Sequence, residues 1–254
     1  MKCKKIAVLA ATILLVAFHA VAQDPEHLAA QAAKAYNTRH YQEAIAKYEK
    51  IIAGGNESFA LYYNLGNAYF RNNENAQAIL NYEKALKIAP NNEDLKHNIE
   101  VVNSKLTDKV ETVPELFYKR WWKLLVNMMD IDTLAILNIM LLSLALILIA
   151  IYIAISTIII RKISFWAGIF LFVLFSIGVL ASSQRNHYLT NQHEAIVFTQ
   201  MVNIKSSPDE NSKDIFVLHE GTKVKLLDVI AEWQEIRIAN GSVGWIKNSD
   251  IRKI

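Results

Sequence analysis

Hydrophobic and polar positions alternate in three different ways along the chain. Between residues 25 and 107 apolar side chains recur at helical spacing, as in Leu95, Ile99, Val102 and Leu106. Residues 134–160 then form a run of 27 without a charge, and residues 163–181 a second of 19. After a polar linker at 182–194 the apolar positions become short and strand-like: 196–197, 202–204, 216–218, 224–226, 233–238 and 244–246. Turn signals separate these strands at Ser207-Pro208-Asp209, Glu220-Gly221 and Asn240-Gly241, the last being a strong hairpin signal. The pattern predicts a helical region, two apolar helices and a small β domain, the organisation of a multidomain membrane protein.

Both apolar runs meet the length needed to cross a bilayer core. Only Arg161-Lys162 separates them, which predicts a tight transmembrane hairpin over 134–160 and 163–181. Asn138 is the one strongly polar side chain well inside the first run. A conducting path needs intramembrane polar groups, so these spans are expected to anchor and to pack on each other. Ala150 with Ala154, and Gly178 with Ser182, are small pairs suited to that packing. Just before the first run, Phe117, Tyr118, Trp121 and Trp122 lie among Lys119, Arg120 and Lys123. Aromatic rings favour the headgroup level and lysine stems reach phosphates, so residues 113–130 are expected to form an interfacial helix. A soluble helix with an aromatic partner-binding face is the alternative.

Charge and composition narrow the picture at the N-terminus. Lys2, Lys4 and Lys5 precede the apolar stretch 6–18 and the small-x-small site Ala20-Val21-Ala22, which predicts a signal peptide over residues 1–22; an uncleaved anchor is the alternative. Both place the helical region across the membrane. Positive residues in short loops favour the cytoplasm, which puts Arg161-Lys162 inside and both flanking domains in the periplasm of a bacterial inner membrane. Lys119, Arg120 and Lys123 pull against that orientation. The 27 Lys and Arg include those three N-terminal lysines, so 24 remain against 24 Asp and Glu, an even balance that argues against nucleic acid as a partner. The only cysteine is Cys3, so after cleavage no thiol chemistry is available. There is no HExxH pattern, phosphate-binding glycine loop or GxSxG elbow. No catalytic residue, metal ligand or cofactor is assigned, and the expectation is a protein that is not an enzyme.

The helical region contains an internal repeat of 34 residues. Ala44-Ile45 pairs with Ala78-Ile79, and Tyr48-Glu49-Lys50 with Tyr82-Glu83-Lys84. In the second copy Tyr62, Leu65, Gly66, Tyr69, Ala78, Tyr82, Ala85 and Pro90 follow the pattern of the tetratricopeptide repeat, which this region resembles. The resemblance implies an all-α solenoid over 25–107, with repeats 25–58 and 59–92 and a capping helix. It also implies a concave groove lined by Tyr63, Asn64, Asn67, Phe70, Arg71 and Asn98, in which amides meet a peptide backbone and Arg71 a carboxylate. Solvated helix faces are the alternative. Residues 194–254 resemble the bacterial SH3 domain, carried by 202–208, 218–224, Trp233 and 236–246. That implies a small all-β barrel binding proteins or peptidoglycan, with Trp233 and Trp245 either as a ligand platform or in the core. The whole order is similar to the BatE family of the Bacteroides aerotolerance operon. It implies an inner-membrane scaffold that works with other membrane or periplasmic proteins, among them partners carrying von Willebrand-type domains, in aerotolerance or envelope stress.

Overall fold

The computed structural model describes residues 25–109, 116–129, 131–190 and 193–254. The expected signal peptide, and residues 113–115 and 130 of the expected interfacial segment, lie outside the described residues. Five antiparallel-stacked helices come first: α1 (Pro25–Asn37), α2 (Tyr41–Ala53), α3 (Phe59–Arg71), α4 (Asn75–Ile88) and α5 (Glu93–Asn103). Polar caps start two of them. Ser58 Oγ accepts from the Leu61 amide at 3.2 Å, and Asn92 Oδ1 from the Leu95 amide at 2.8 Å. The α1–α2 and α3–α4 turns each contain a left-handed residue, Arg39 and Asn73. Gly66 allows α3 and α4 to meet, because a Cβ there would sit 2.5 Å from a ring carbon of Tyr82. Tyr82 itself is 1% exposed.

The two apolar helices follow, preceded by a short one: α6 (Phe117–Val126), α7 (Ile131–Ala154) and α8 (Ile158–Thr190). Here the expected boundaries shift. The turn falls at residues 155–157, not at Arg161-Lys162. The Thr157 carbonyl accepts from the Arg161 amide at 3.0 Å, so both cations belong to the first turn of α8. The Arg161 guanidinium rests 5.0 Å from the centre of the Tyr152 ring. Ser and Thr at 156–157 offer the backbone local hydrogen-bonding alternatives to a helix, whereas Arg and Lys are good helix formers.

A second difference is that residues 182–190, expected as a linker, continue α8. Ser182, Gln184 and Arg185 have partners on neighbouring elements, which removes the reason for the chain to unwind. Asn138 Nδ2 donates to Ser182 Oγ at 3.1 Å, and Trp122 Nε1 donates to Gln184 Oε1. Gly178 leaves room for the Asn138 amide, whose position a Cβ would invade. Of the two small-residue pairs, Gly178 and Ser182 thus receive Asn138, while Ala150 and Ala154 are exposed. Ala145, opposite Gly168, takes the close-contact role instead.

Seven strands end the chain: β1 (Glu194–Val197), β2 (Met201–Lys205), β3 (Asp214–His219), β4 (Lys223–Ile230), β5 (Trp233–Arg237), β6 (Val243–Lys247) and β7 (Ile251–Lys253). They form one antiparallel sheet in the order β3-β2-β6-β5-β4-β1-β7. Asn240-Gly241 turns β5 into β6, with Gly241 at φ 94. The sheet is not closed into the expected barrel, since β3 and β7 are its edges and do not pair. The helical stack packs on β1 and on Ile254, the residue after β7. Ala195 and Val197 enter the sheet's own apolar cluster, whereas Ile196 and Ile254 enter that of the helical repeats. A strand covered on both faces needs apolar side chains at consecutive positions, and Ala195-Ile196-Val197 provides them.

Candidate interaction surfaces

Two faces of the helical stack carry polar constellations, and they differ in whether they are already occupied. The back face is the side of α4 that meets the sheet. Lys223 Nζ from β4 lies 2.8 Å from Glu83 Oε2 and 2.9 Å from Glu194 Oε2. Burial alone would lower the Lys223 pKa, but the two carboxylates outweigh it and the ammonium is held above its ordinary value. Lys87 Nζ donates to the Ile254 carbonyl at 2.8 Å. Burial lowers the Lys87 pKa, and the neighbouring Lys223 and Lys84 add to this.

A second latch joins the segment after α5 to the sheet. Asp108 Oδ2 accepts from the His219 amide at 2.7 Å and from Thr222 Oγ1 at 2.8 Å, and its Oδ1 lies 2.7 Å from His219 Nδ1. Burial favours the neutral acid, yet these hydrogen bonds prevail and hold the Asp108 carboxyl below the usual range. Next to it Gly221, at φ 87, admits the Leu106 side chain, which a Cβ would meet at 2.5 Å.

The third attachment is Arg185, 4% exposed at the end of α8. Its Nη1 donates to Asn127 Oδ1 at 3.0 Å, and Nη2 donates to the Lys87 and Ile88 carbonyls at 3.2 and 3.3 Å. A helix interrupted by Pro90 leaves its last carbonyls without intrahelical donors, and a guanidinium suits both those acceptors and the negative helix end. These contacts hold repeats, sheet and the upper end of the hairpin as one block.

The front face, built by α1, α3 and α5, holds the expected groove. Tyr82 Oη donates to Asn67 Oδ1 at 2.7 Å, and Asn98 Nδ2 donates to the same oxygen at 3.3 Å and to Tyr63 Oη at 3.2 Å. Two donors on one oxygen orient the Asn67 amide so that its nitrogen remains the donating group. Tyr63 stacks on Phe59 at 5.6 Å between centroids. Burial, then the neighbouring Tyr63, Tyr36 and Arg71, set the Tyr82 hydroxyl, and its pKa is raised. Arg71 is exposed, hydrogen-bonds Tyr36 and is held above its ordinary pKa by that bond. Asn64 is half-buried on α3. Phe70 lies under Lys105, whose Nζ is 4.2 Å from the ring centre. The structure therefore brings Tyr63, Asn67 and Asn98 into one hydrogen-bonded cluster and places Phe70 and Arg71 beside Lys105 and Tyr36. Those last two were missed. The 34-residue period maps Phe70 onto Tyr36 and Arg71 onto Lys105, so the signal was present once the repeat is carried into the degenerate copy and the cap.

On the sheet, Trp233 and Trp245 occupy the same face of β5 and β6, since Trp233 pairs with Lys247 and Glu235 with Trp245. Trp233 is 7% exposed, stands outside the sheet's apolar cluster, and has the Lys247 ammonium 5.6 Å from its ring centre. Lys247 in turn pairs with Glu210. Trp245 is half-buried. The pair does not form an open two-ring platform, because the Lys247 side chain covers Trp233.

In α6, Phe117, Tyr118 and Trp121 are exposed, while Trp122 turns toward Gln184 of α8. The helix stands beside the upper end of the hairpin, at the level where Asn138 meets Ser182. Along both apolar helices, Ile131–Ala154 and Ile158–His187, only 11% of the most apolar stretch is buried. They are long and apolar enough to cross a membrane, and unlike core helices they expose nearly all of their apolar surface. Among the described residues no group of three His, Cys, Asp or Glu side chains is placed to hold a metal ion.

Comparison with known proteins gives two partial matches. Residues 59–92 match the model of the tetratricopeptide repeat, and residues 201–252 that of the bacterial SH3 domain. No curated protein matches the chain. The two matched modules are protein- or peptidoglycan-interaction units.

Proposed function

We propose that this chain is a non-enzymatic scaffold of a bacterial inner membrane, of the BatE type, whose front groove captures an exposed segment of another membrane or periplasmic protein. The hairpin α7–α8 crosses the bilayer, with the repeats and the sheet on the periplasmic side and Arg161-Lys162 at the cytoplasmic tip. The observation that carries this reading is the contrast between the faces of α3 and α4. The sheet occupies the back, while the front presents Arg71 and Lys105 beside a fixed strip of amides and aromatic rings. Two cations on an aromatic floor suit a segment bearing a carboxylate. Proteins with von Willebrand-type domains, acting in aerotolerance or envelope stress, are the partners the whole-chain order suggests.

The test is a mild-detergent pull-down of the tagged full chain from its native membranes, compared with Arg71→Glu/Lys105→Glu. Specific membrane proteins that disappear with the substitutions support the groove, and an unchanged set overturns it. Tyr63→Ala is a poorer probe, because Tyr63 also packs on Phe59.

A second reading, attachment to peptidoglycan, is favoured by the bacterial SH3 match over 201–252. Its test is co-sedimentation of the full chain with purified sacculi. Residues 194–254 alone would expose Ile196 and Ile254, which the repeats cover, so an excised fragment would be misleading. Trp245→Ala should release a chain that binds by the exposed side of β5–β6; absence of co-sedimentation removes the reading.

A further inference from the structure

Where the repeats, α6, the end of α8 and the sheet converge there is a recess of about 750 Å³. Among the described residues six cationic side chains line it, Lys96, Lys119, Arg120, Lys123, Arg185 and Lys223, against one carboxylate, that of Glu194. Four of the six have partners of their own, Lys123 among them. Lys96 pairs with Glu93, Lys223 with Glu83 and Glu194, and Arg185 holds the end of α4. The uncompensated charge is on α6, where Lys119 and Arg120 enter no ion pair among the described residues.

We propose that this recess binds the phosphate headgroup of an anionic phospholipid. The proposal rests on the reading that the hairpin spans a bilayer. The shared chemistry is a phosphate monoanion or diester met by a guanidinium and ammonium groups. A lipid fits better than a free anion because of where the recess lies. Its wall includes Gln184 and Trp122, one turn beyond the apolar part of α8, and Trp122 Nε1 donates to Gln184 at that level. Leu124, Met128 and Leu180 nearby in the chain are exposed apolar side chains, 59%, 74% and 62% accessible. An anionic head with apolar tails matches both parts, whereas an acidic protein segment matches only the first. It also explains why three cations persist beside the first span on the side that the positive-inside tendency disfavours.

The experiment uses the full chain reconstituted into vesicles of phosphatidylcholine alone or mixed with phosphatidylglycerol. Native mass spectrometry then counts the lipid retained on extraction. The expected result is enrichment of phosphatidylglycerol over its share of the vesicle by about tenfold or more, falling to that share in Lys119→Gln/Arg120→Gln/Lys123→Gln. Flotation and resistance to alkaline extraction in neutral vesicles are scored on the same samples. Floating without enrichment overturns the lipid site and leaves the spanning hairpin standing; failure to float in either vesicle overturns both. Inorganic phosphate that displaces the lipid stoichiometrically at equal concentration would assign the recess to free phosphate, which overturns the lipid. An acidic protein retained by the unsubstituted chain and lost from the triple variant, without lipid enrichment, overturns it as well.

Discussion

The two faces of the second repeat lie on its paired helices, α4 behind and α3 in front, and they are used in opposite ways. On the back of α4, Glu83 and Lys87 meet the sheet and both find partners within the chain. On the front, Asn67, Asn98 and Tyr63 satisfy one another through one shared oxygen, while Arg71 and Lys105 stand at the rim. A self-satisfied polar network is rigid without being closed, and so can meet a ligand without first reorganising. The lesson is that a repeat pattern specifies the stack, whereas occupancy of each face depends on what the rest of the chain brings to it.

The largest effect should come from the one residue both faces share. Tyr82→Ala removes the ring that fills the space at Gly66 and the donor that orients Asn67. A loss of about 3–5 kcal/mol is expected, on the scale of large aromatic deletions in cores, and thermal unfolding of the full chain in detergent should show it. Survival of the fold with unchanged midpoint would mean that the two faces are independent.

Arg185→Ala acts on the back alone. It leaves the Lys87 and Ile88 carbonyls without their cationic donor, at a cost of about 1.5–3 kcal/mol, typical of hydrogen bonds to a charged group. Amide hydrogen exchange should speed up in the last turn of α4 and not in α1. Unaltered exchange at α4 would show that the hairpin and repeats are held by other contacts.

Asp108→Asn should weaken docking of the sheet by about 1–2 kcal/mol. It also predicts a pH dependence whose sign follows from the lowered pKa. The folded carboxyl titrates below the unfolded one, so its contribution is complete above the ordinary value of about 3.9 and is lost as pH falls through the lowered folded value. Protease protection of the 107–109 segment should therefore hold at pH 5 and fall away in stronger acid, and the Asn variant should lack that acid limb. An identical profile in both proteins would remove Asp108 from the latch.

The smallest expected effect on stability is at the front rim. Arg71→Glu/Lys105→Glu should move the unfolding midpoint by the equivalent of about 0.5 kcal/mol or less, as exposed substitutions do, while abolishing partner capture. A large stability loss would show that the rim cations hold the stack together and would disqualify them as a separable site.

Much of the architecture was legible as local pattern. The 34-residue period placed the repeat helices, because Ala78 and Tyr82 recur as Ala44 and Tyr48, all four buried where paired helices touch. The charge-free runs announced the two long helices, and Asn240-Gly241 the β5–β6 turn. The groove residues followed from register within the repeat. Tyr36 and Lys105 were obtainable by the same arithmetic, but the first copy and the cap lack the neighbouring consensus residues that make the register obvious.

The rest depended on contacts between segments far apart in sequence. Arg161-Lys162 marked the tip of the hairpin by charge, but the turn itself falls at residues 155–157, where a helix can start after Thr157 and keep both cations. Residues 182–190 are polar and read as a linker; they are helical because Asn138, Trp122, Asn127 and the end of α4 provide partners for Ser182, Gln184 and Arg185. The seven strands form an open sheet whose second strand from one edge, β1, packs Ile196 against the repeats, a contact that no local pattern announces. Periodicity reports which face of an element is apolar, since that is a local property of side chains. It does not report which distant surface covers that face, because the covering free energy resides in pairs such as Ile196 with the repeats and Lys223 with Glu83, and neither partner alone reveals the other.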